Sequence, residues 1–319
     1  SNPTGGQCNV DGLGTPHPIL PVSGEKYRSE TDFKDSGPSP LSFVRTYRST
    51  WGADPTRVTG PLGRPWTHNH SAVLRATPST NPTSAVVVSA EGHQRMFSRA
   101  PGASFWTASS GADVLAQTGN GGWTYRRADD DSSMAFAADG KLLSHTQRNG
   151  WGTVYTYYPS GQLATITNSF GRTLTLGYNA AGQLISVAMP DLRSIGYAYD
   201  VVGRLSRITY PDARTRVFKY DYSPFPQALT DIYDEAGAHF AFFSYDSQGL
   251  ATSSYLAGVA DYYQVDYYYY ASGVSVLDPL GTRRRYTYGT NQGKLAVTAG
   301  SLPSGTGEAD AVSRVQDAN

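Results

Sequence analysis

The sequence predicts an all-β protein in which tandem β-hairpins form a curled antiparallel ribbon, preceded by an irregular, short-stranded N-terminal region. Three observations carry that prediction. One frame recurs: a tyrosine pair two residues apart, an Asp- or Asn-like residue, a short spacer, a Gly and then usually a Leu. It is clearest in Ile195–Ser206, IGYAYDVVGRLS. Copies at Tyr155-Thr-Tyr157 with Gly161-Gln-Leu163, Leu176-Gly-Tyr178 with Gly182-Gln-Leu184, and Tyr197-Ala-Tyr199 with Gly203-Arg-Leu205 step by 21 residues. Second, another turn signal falls midway between successive turn glycines, at Asn149-Gly150, Phe170-Gly171, Pro190-Asp191, Pro211-Asp212, Glu235-Ala-Gly237, Ala257-Gly258 and Leu280-Gly281. Third, only 16% of residues are charged while Tyr (23) and Gly (34) abound, a composition suited to strands and turns and poor for long helices.

Two turns per period leave strands of roughly seven residues, which is hairpin spacing and too short for a helical solenoid unit. Residues at i and i+2 of a strand share a face, so each tyrosine pair should line one side of the sheet. The repeat residues expected to build the array are Tyr157, Gly161, Leu163, Tyr178, Gly182, Leu184, Tyr197, Tyr199, Asp200, Gly203, Arg204, Leu205, Tyr245 and Gly249. Of these, Gly161, Gly182, Gly203 and Gly249 should occupy equivalent turn positions, some at positive φ, because chain reversal there favours a residue without Cβ. Looser copies stand at Tyr220-Asp-Tyr222, Phe243-Ser-Tyr245, Tyr267-Tyr-Tyr269 and Tyr286-Thr-Tyr288, and a degenerate first copy at Met134–Leu142.

In chain order, residues 1–40 carry dense Gly and Pro, as in Gly12-Leu-Gly14-Thr-Pro16 and Ser36-Gly-Pro38-Ser-Pro40, and read as irregular chain. Residues 41–132 read as an N-terminal β region that starts or caps the array. Its strand candidates are Leu41–Tyr47, Trp66–Leu74, Ala85–Ser89, Gln94–Arg99 and Trp123–Arg127. The hairpins occupy 133–299. Residues 300–319, opening on the Ser/Gly/Pro-rich Ser301–Gly307, read as a linker or tail. A sheet of so many strands should curl under its twist. It is expected to leave a concave face and two free edges, one near Tyr286–Tyr288, rather than close by itself.

A net charge of zero supplies no basic field for nucleic acid or an anionic membrane. The single cysteine, Cys8, excludes an intrachain disulfide framework and a four-cysteine zinc site. No run approaches the ~18 apolar residues of a membrane span, and no signal peptide is visible.

The repeats resemble those of the Rhs/YD-repeat proteins, which include bacterial polymorphic toxins, the cocoon subunits of Tc toxins and teneurins. Tyr197-Ala-Tyr199-Asp200-Val-Val-Gly203-Arg204-Leu205 is similar to that family's YxYDxxGRL pattern. Pro21-Val-Ser-Gly24-Glu-Lys26, Glu30-Thr-Asp32-Phe33, Pro40-Leu-Ser-Phe43-Val-Arg45-Thr-Tyr47 and Gly63-Arg-Pro-Trp66-Thr-His68-Asn are similar to the segment that precedes the repeats in bacterial members. The resemblance implies a segment of an Rhs-type shell that encloses and helps deliver a C-terminal toxin domain in bacterial competition or virulence. Its implied partners are the remainder of the shell, the enclosed toxin and secretion machinery, and its implied location is secreted or cell-surface. The toxin domain and the aspartate-protease-like motif that releases it have no counterpart in these residues. Asp278-Pro279-Leu280-Gly281 shares only the start of that motif.

Sites of chemistry are argued apart from fold. Thr67-His68-Asn69-His70 places two imidazoles at strand spacing, but one pair supplies too few ligands for a metal. Asp129–Asp131 lacks the alternating ligands and turn glycine of a calcium loop. Arg283-Arg-Arg285 alternates faces on a strand, and Gly119-Asn-Gly-Gly122 lacks the Lys-Ser/Thr of a phosphate loop. With no Gly-x-Ser-x-Gly elbow and six scattered histidines, no catalytic, cofactor or metal site is expected. The tyrosines allow two readings: ladder packing along the sheet, or an exposed ring platform for sugars. The second would make the chain a carbohydrate-binding module, the alternative to the shell role.

Overall fold

The computed structural model describes residues 19–21, 23–268, 273–291, 294–303 and 309–313. Cys8, Tyr269 and Gly293 lie outside them.

Two small antiparallel sheets precede the array. The first orders Ile19–Leu20, Glu25–Lys34, Ser42–Arg48 and Trp66–His68. The second orders Val73–Thr77, Ser84–Val88, Gln94–Ser98 and Thr107–Ala108. From Val114–Gln117 onward every strand pairs antiparallel with the next, as far as Ala309–Ser313. Among the described residues the helical content is one short helix, Ser49–Ala53, and one 3₁₀ turn, Ala257–Val259.

The hairpins have one construction. In the Asp200–Arg204 turn, Asp200 N–H donates to Arg204 O (2.9 Å) and Gly203 N–H to Asp200 O (3.0 Å). The Asp200 carboxylate accepts the backbone N–H groups of Val202 (3.0 Å) and Arg204 (2.9 Å), so the acidic residue caps its own turn. The ladder register shifts just before it, between Ala198 and Tyr199, which is a turn with a bulge at a left-handed residue. Gly161, Gly182, Gly203 and Gly249 all hold that place, with φ of 88°, 80°, 84° and 80°, as the sequence predicts. Gly203→Val should therefore destabilise the protein by more than about 1 kcal/mol, because a β-branched residue is strained at this φ. Chemical denaturation measures it, and an unchanged midpoint would refute the assignment. At the opposite rim, Leu192 (φ 68°) and Ala213 (φ 65°) fill the corresponding place without glycine. Asp191 and Asp212 there accept the N–H of Arg193 and Arg214.

Alternate residues of the array strands are buried: Tyr155, Ile166, Leu176, Val187, Tyr197, Ile208, Phe218, Ile232 and Phe243. Neighbours on the other face are more open, as with Val154 beside Tyr155. One face thus carries the core, and the first N-terminal sheet packs against it.

Four expectations are corrected. Residues 25–34, inside the stretch read as irregular, form a ten-residue strand. Its charges masked it, and Glu25, Arg28, Glu30 and Asp32 are held in ion pairs rather than solvated. The strand expected over Trp66–Leu74 is two, Trp66–His68 and Val73–Thr77, in different sheets. A turn separates them in which Ser71 N–H donates to His68 O (3.1 Å). Part of the 300–319 linker is strand, since Lys294–Pro303 pairs with Ala309–Ser313. Tyr286–Tyr288 is no free edge either, because Arg283–Asn291 pairs on both sides. The strand order is that of a closed barrel. Among the described residues the paired register runs from Val114–Gln117 to Ala309–Ser313 and does not itself join those two ends. The curl has a packed N-terminal sheet to wrap around, which an array considered alone lacks.

Candidate functional site

The tyrosines do their work between repeats. Five donate their hydroxyl to the backbone carbonyl of the residue that opens the second strand of the preceding hairpin: Tyr157 to Leu142 (2.7 Å), Tyr178 to Leu163 (2.8 Å), Tyr199 to Leu184 (2.7 Å), Tyr220 to Leu205 (2.8 Å) and Tyr267 to Ala251 (2.6 Å), while Tyr245 donates to Leu229 (2.8 Å), just ahead of the strand Asp231–Tyr233. Burial raises Tyr157, Tyr178 and Tyr199 above the ordinary phenol range, so they remain neutral donors. Leu163, Leu184 and Leu205, which supply three of these carbonyls, are themselves core residues. The residue after the turn glycine also reaches forward. Gln183 Nε2 donates to Gly203 O (3.4 Å), and Arg204 binds the carboxylate of Asp200 (2.6 Å) and the carbonyl of Pro226 (2.5 Å). The repeat motif is thus a set of inter-repeat joints. These rings are buried (Tyr220, Tyr245) or half-buried with their hydroxyls committed, which is not the contiguous exposed platform that sugar binding would need.

The densest chemistry lies where the first sheet meets the array. Phe43, Arg45 and Tyr47 share a strand face at i, i+2 and i+4, and all three are fully buried. Arg45 binds Asp32 through Nε (2.6 Å) and Nη2 (2.9 Å), and Glu30 through Nη2 (3.2 Å). Its guanidinium also lies 4.7 Å from the ring of Trp66 and 5.1 Å from that of Phe218. Asp32 accepts the Tyr197 hydroxyl (2.9 Å), and Glu30 accepts two bonds from Arg216 (2.8 and 2.9 Å). Burial works against the Glu30 carboxylate, but Arg28, Arg45 and Arg216 together hold it down at about 2. Burial likewise works against the Arg45 cation, and Asp32 and Glu30 outweigh it, raising its pKa.

Neutral bonds extend the interface. Trp66 Nε1 donates to Tyr220 Oη (2.8 Å), and the Tyr47 hydroxyl accepts Leu229 N–H (2.8 Å) beside Tyr245 (3.3 Å). At one end Ala251 N–H donates to Gly24 O (2.8 Å) and Lys26 Nζ to Ser254 Oγ (3.3 Å). At the other, His70 meets Tyr155. The N-terminal strands thereby touch the array across successive hairpins, from Tyr155 to Ser254.

His68 and His70 belong to this interface. His70 Nε2 pairs with Ser42 O (2.7 Å), which makes it the protonated nitrogen, and Nδ1 accepts the Tyr155 hydroxyl (3.1 Å). His68 Nδ1 accepts the backbone N–H of His70 (3.3 Å), and its ring stacks on Phe43 at 5.1 Å. Burial lowers His68 to about 3 and His70 to about 4. With three ring nitrogens committed to protein partners, stoichiometric zinc is expected to leave the melting temperature unchanged. A rise abolished in the double alanine variant would reverse that. Among the described residues no group of three or more His, Cys, Asp or Glu side chains is placed to hold a metal ion. Asp129–Asp131 forms ion pairs with Arg126 and Arg127, and Arg283–Arg285 lies within a strand. No helix among the described residues is long and apolar enough to cross a membrane.

The sequence reading missed Asp32, Glu30 and Arg216. One available signal was Arg45, a charge at the centre of an otherwise apolar strand face, which requires a buried counter-charge.

Comparison with known proteins follows the same division. Residues 16–97 match the family described as Domain of unknown function (DUF6531), residues 157–194 the RHS Repeat family, and residues 176–268 the Teneurin YD-shell family. No curated protein matches the chain. Similar solved structures include those of TcdB2-TccC3-Cdc42 and TcdB2-TccC3, each at 12% identity and a TM-score of 0.41. The alignment covers 89% of this chain and 19% of theirs, so the chain spans about a fifth of their length. Two of the matched families cover the stretch in which tyrosine hydroxyls join successive hairpins, and residues 157–268 are a run of repeats of the Rhs/YD type.

Proposed function

We propose that this chain is a structural segment of an Rhs-type shell, secreted or displayed at the cell surface, that helps enclose and deliver a toxic domain. Hairpins 133–299 form the wall. The strands between residues 19 and 77 form a stopper packed against its inner face, and 41–132 as a whole starts or caps the wall. The supporting observation is the interface itself: buried side chains of the first sheet bond to array residues from Tyr155 to Ser254, so wall and stopper fold as one body. Its titratable groups are consumed by one another, which suits a joint and leaves no acid, base or nucleophile poised for a substrate. The partners are the remainder of the shell and its cargo.

Protease protection tests this reading. In a protein that joins this segment to a downstream domain, that domain should resist a protease that digests it when isolated. Loosening the stopper with Trp66→Ala should expose it. Equal digestion of the joined and isolated domain would sink the proposal.

A further inference from the structure

A groove of about 880 Å³ runs between segments 59–61 and 68–73 of the N-terminal region and the rim of the hairpins that turn at Gly161, Gly182 and Gly203, within the size range of ligand sites. The neighbouring repeats show what it lacks. The residue whose carbonyl takes the next repeat's tyrosine also presents its own N–H to the N-terminal region, and N-terminal oxygens accept that N–H at three places: Pro61 O at Leu184 (2.9 Å), the Tyr47 hydroxyl at Leu229 (2.8 Å) and Gly24 O at Ala251 (2.8 Å). At Leu142 the rim is closed by the second sheet, with Leu74 N–H donating to Gly140 O (3.0 Å), and at Leu205 by Gly63, where an added Cβ would stand 3.5 Å from Gly203 O. Leu163 holds the same place in the repeat that turns at Gly161, and it lines the groove. No described residue of the N-terminal region supplies an oxygen to it.

Pro61 shows what the missing oxygen does. Its carbonyl accepts Leu184 N–H and lies 2.9 Å from the hydroxyl of Tyr199. One repeat earlier the corresponding groups are Leu163 N–H and the hydroxyl of Tyr178, which also lines the groove. Two more donors belong to the same wall. His68, only 4% exposed, accepts His70 N–H at Nδ1 (3.3 Å), so its proton sits on Nε2, which bonds to no described residue. Gln162 accepts the Ser160 hydroxyl at Oε1 (2.8 Å), and its Nε2 likewise bonds to no described residue. A buried N–H left without an acceptor costs free energy. The charges of the wall are already spent, Lys141 on Asp139 (2.6 Å) and Asp200 on Arg204 (2.6 Å). The groove therefore offers N–H donors without free charge, and it calls for neutral oxygen acceptors.

We propose that this groove binds an extended peptide strand of another chain, whose backbone carbonyls take the place at Leu163 that Pro61 takes at Leu184 and reach His68 Nε2 and Gln162 Nε2. Peptide is the occupant because peptide fills the equivalent places, Gly60-Pro61-Leu62-Gly63 at one repeat and Ser23-Gly24-Glu25 at another. Glycine at such a contact lets the backbone approach the rim closely; at Gly24 an added Cβ would fall 2.5 Å from the Leu250 side chain. Recognition of this kind runs through the main chain, so the partner is defined by an extended stretch of small and neutral residues with Gly or Pro among them. The site rests on the geometry of the repeat and not on an enclosed cargo, so it stands or falls apart from protease protection.

The test is NMR on the folded chain titrated with a capped synthetic peptide of sequence TGPLGRP, that of residues 59–65. Before peptide is added, Leu163 N–H should exchange with solvent faster than the N–H groups of Leu184 and Ala251, whose acceptors are in place. Saturating peptide should slow that exchange and shift the resonances of Leu163 N–H and the His68 Nε2 proton, while Leu184 stays unchanged. Gln162→Ala should weaken binding about fivefold, the loss of one neutral hydrogen bond. Ala181→Trp, a change at an exposed turn residue in the groove wall, should abolish it. The exchange and shift readouts need no variant, so they stand even if one folds poorly. Leu163 protected as strongly as Leu184 in the free protein, no saturable shift at millimolar peptide, or binding that Ala181→Trp leaves intact would overturn the site. Glucose moving the same resonances while the peptide does not would overturn the peptide as its occupant.

Discussion

Arg45→Met is expected to destabilise the protein by about 3–5 kcal/mol, the cost of leaving a buried carboxylate without its counter-charge. Methionine keeps the packing volume between Trp66 and Phe218, so the loss reports the ion pair and not a cavity. Asp32 would retain one bond, from the Tyr197 hydroxyl. Glu30 would keep Arg28 and Arg216. The comparison that decides is Arg172 with Asp35, an ion pair 2.6 Å long whose side chains are 28% and 15% exposed. Solvent screens that pair, and removing its charge by Arg172→Met should cost about 1 kcal/mol or less for the ionic part. Adding Asp32→Leu to Arg45→Met should recover part of the loss, because deleting both charges removes the uncompensated one. Denaturation midpoints of the three variants and the parent measure this. An Arg45→Met cost no larger than that of Arg172→Met would show that the buried network contributes nothing special to holding stopper and wall together.

The hairpin array was legible in the sequence because its information is local. A turn glycine, an acidic cap two and four residues from the N–H groups that donate to it and a strand alternation of two all fit within one 21-residue repeat. Even Leu192 and Ala213, which replace glycine at the far rim, left a sign in the Pro-Asp pairs before them. The tyrosine ladder was half legible: spacing put the rings on one face, but not the hydroxyl bond to a carbonyl 15 or 16 residues earlier. The stopper was the opposite case. Glu25–Lys34 reads EKYRSETDFK, and any rule that solvates charges sends it to the surface. What buries it are partners far along the chain: Glu30 meets Arg216, Asp32 meets Tyr197 and Lys26 meets Ser254. Such pairings arise from how the array curls, which the residues of one strand do not encode. The partners of His68 and His70 were not legible for the same reason, since the acceptor and donor that fix His70, Ser42 and Tyr155, come from other elements.

Those two histidines give the second large effect, a loss of stability in mild acid. Their folded values, about 3 and about 4, lie below the ordinary ~6.5 of the unfolded chain. Between those values the unfolded state binds protons that the folded state refuses, so stability must fall as pH falls. The contribution is complete above pH ~6.5. It declines by up to about 1.4 kcal/mol per histidine per pH unit below it, until each ring protonates in place. From pH 6.5 to 4.5 the pair should remove on the order of 4 kcal/mol. His93 and His145, also held low by burial, act in the same direction. Glu30, at about 2, stays ionised over this window and adds its own loss only in stronger acid, so the histidines govern the first drop. Protonating His70 would put a second proton on Nδ1, where Tyr155 now donates, and place a cation beside His68 at a ring separation of 6.4 Å. The joint between stopper and wall should therefore be where acid acts first. Denaturation curves at pH 7 and 4.5 test it, together with the variant His68→Gln/His70→Gln, in which the slope should flatten. Stability independent of pH across that window in the parent protein would mean that the two rings are not held neutral by burial.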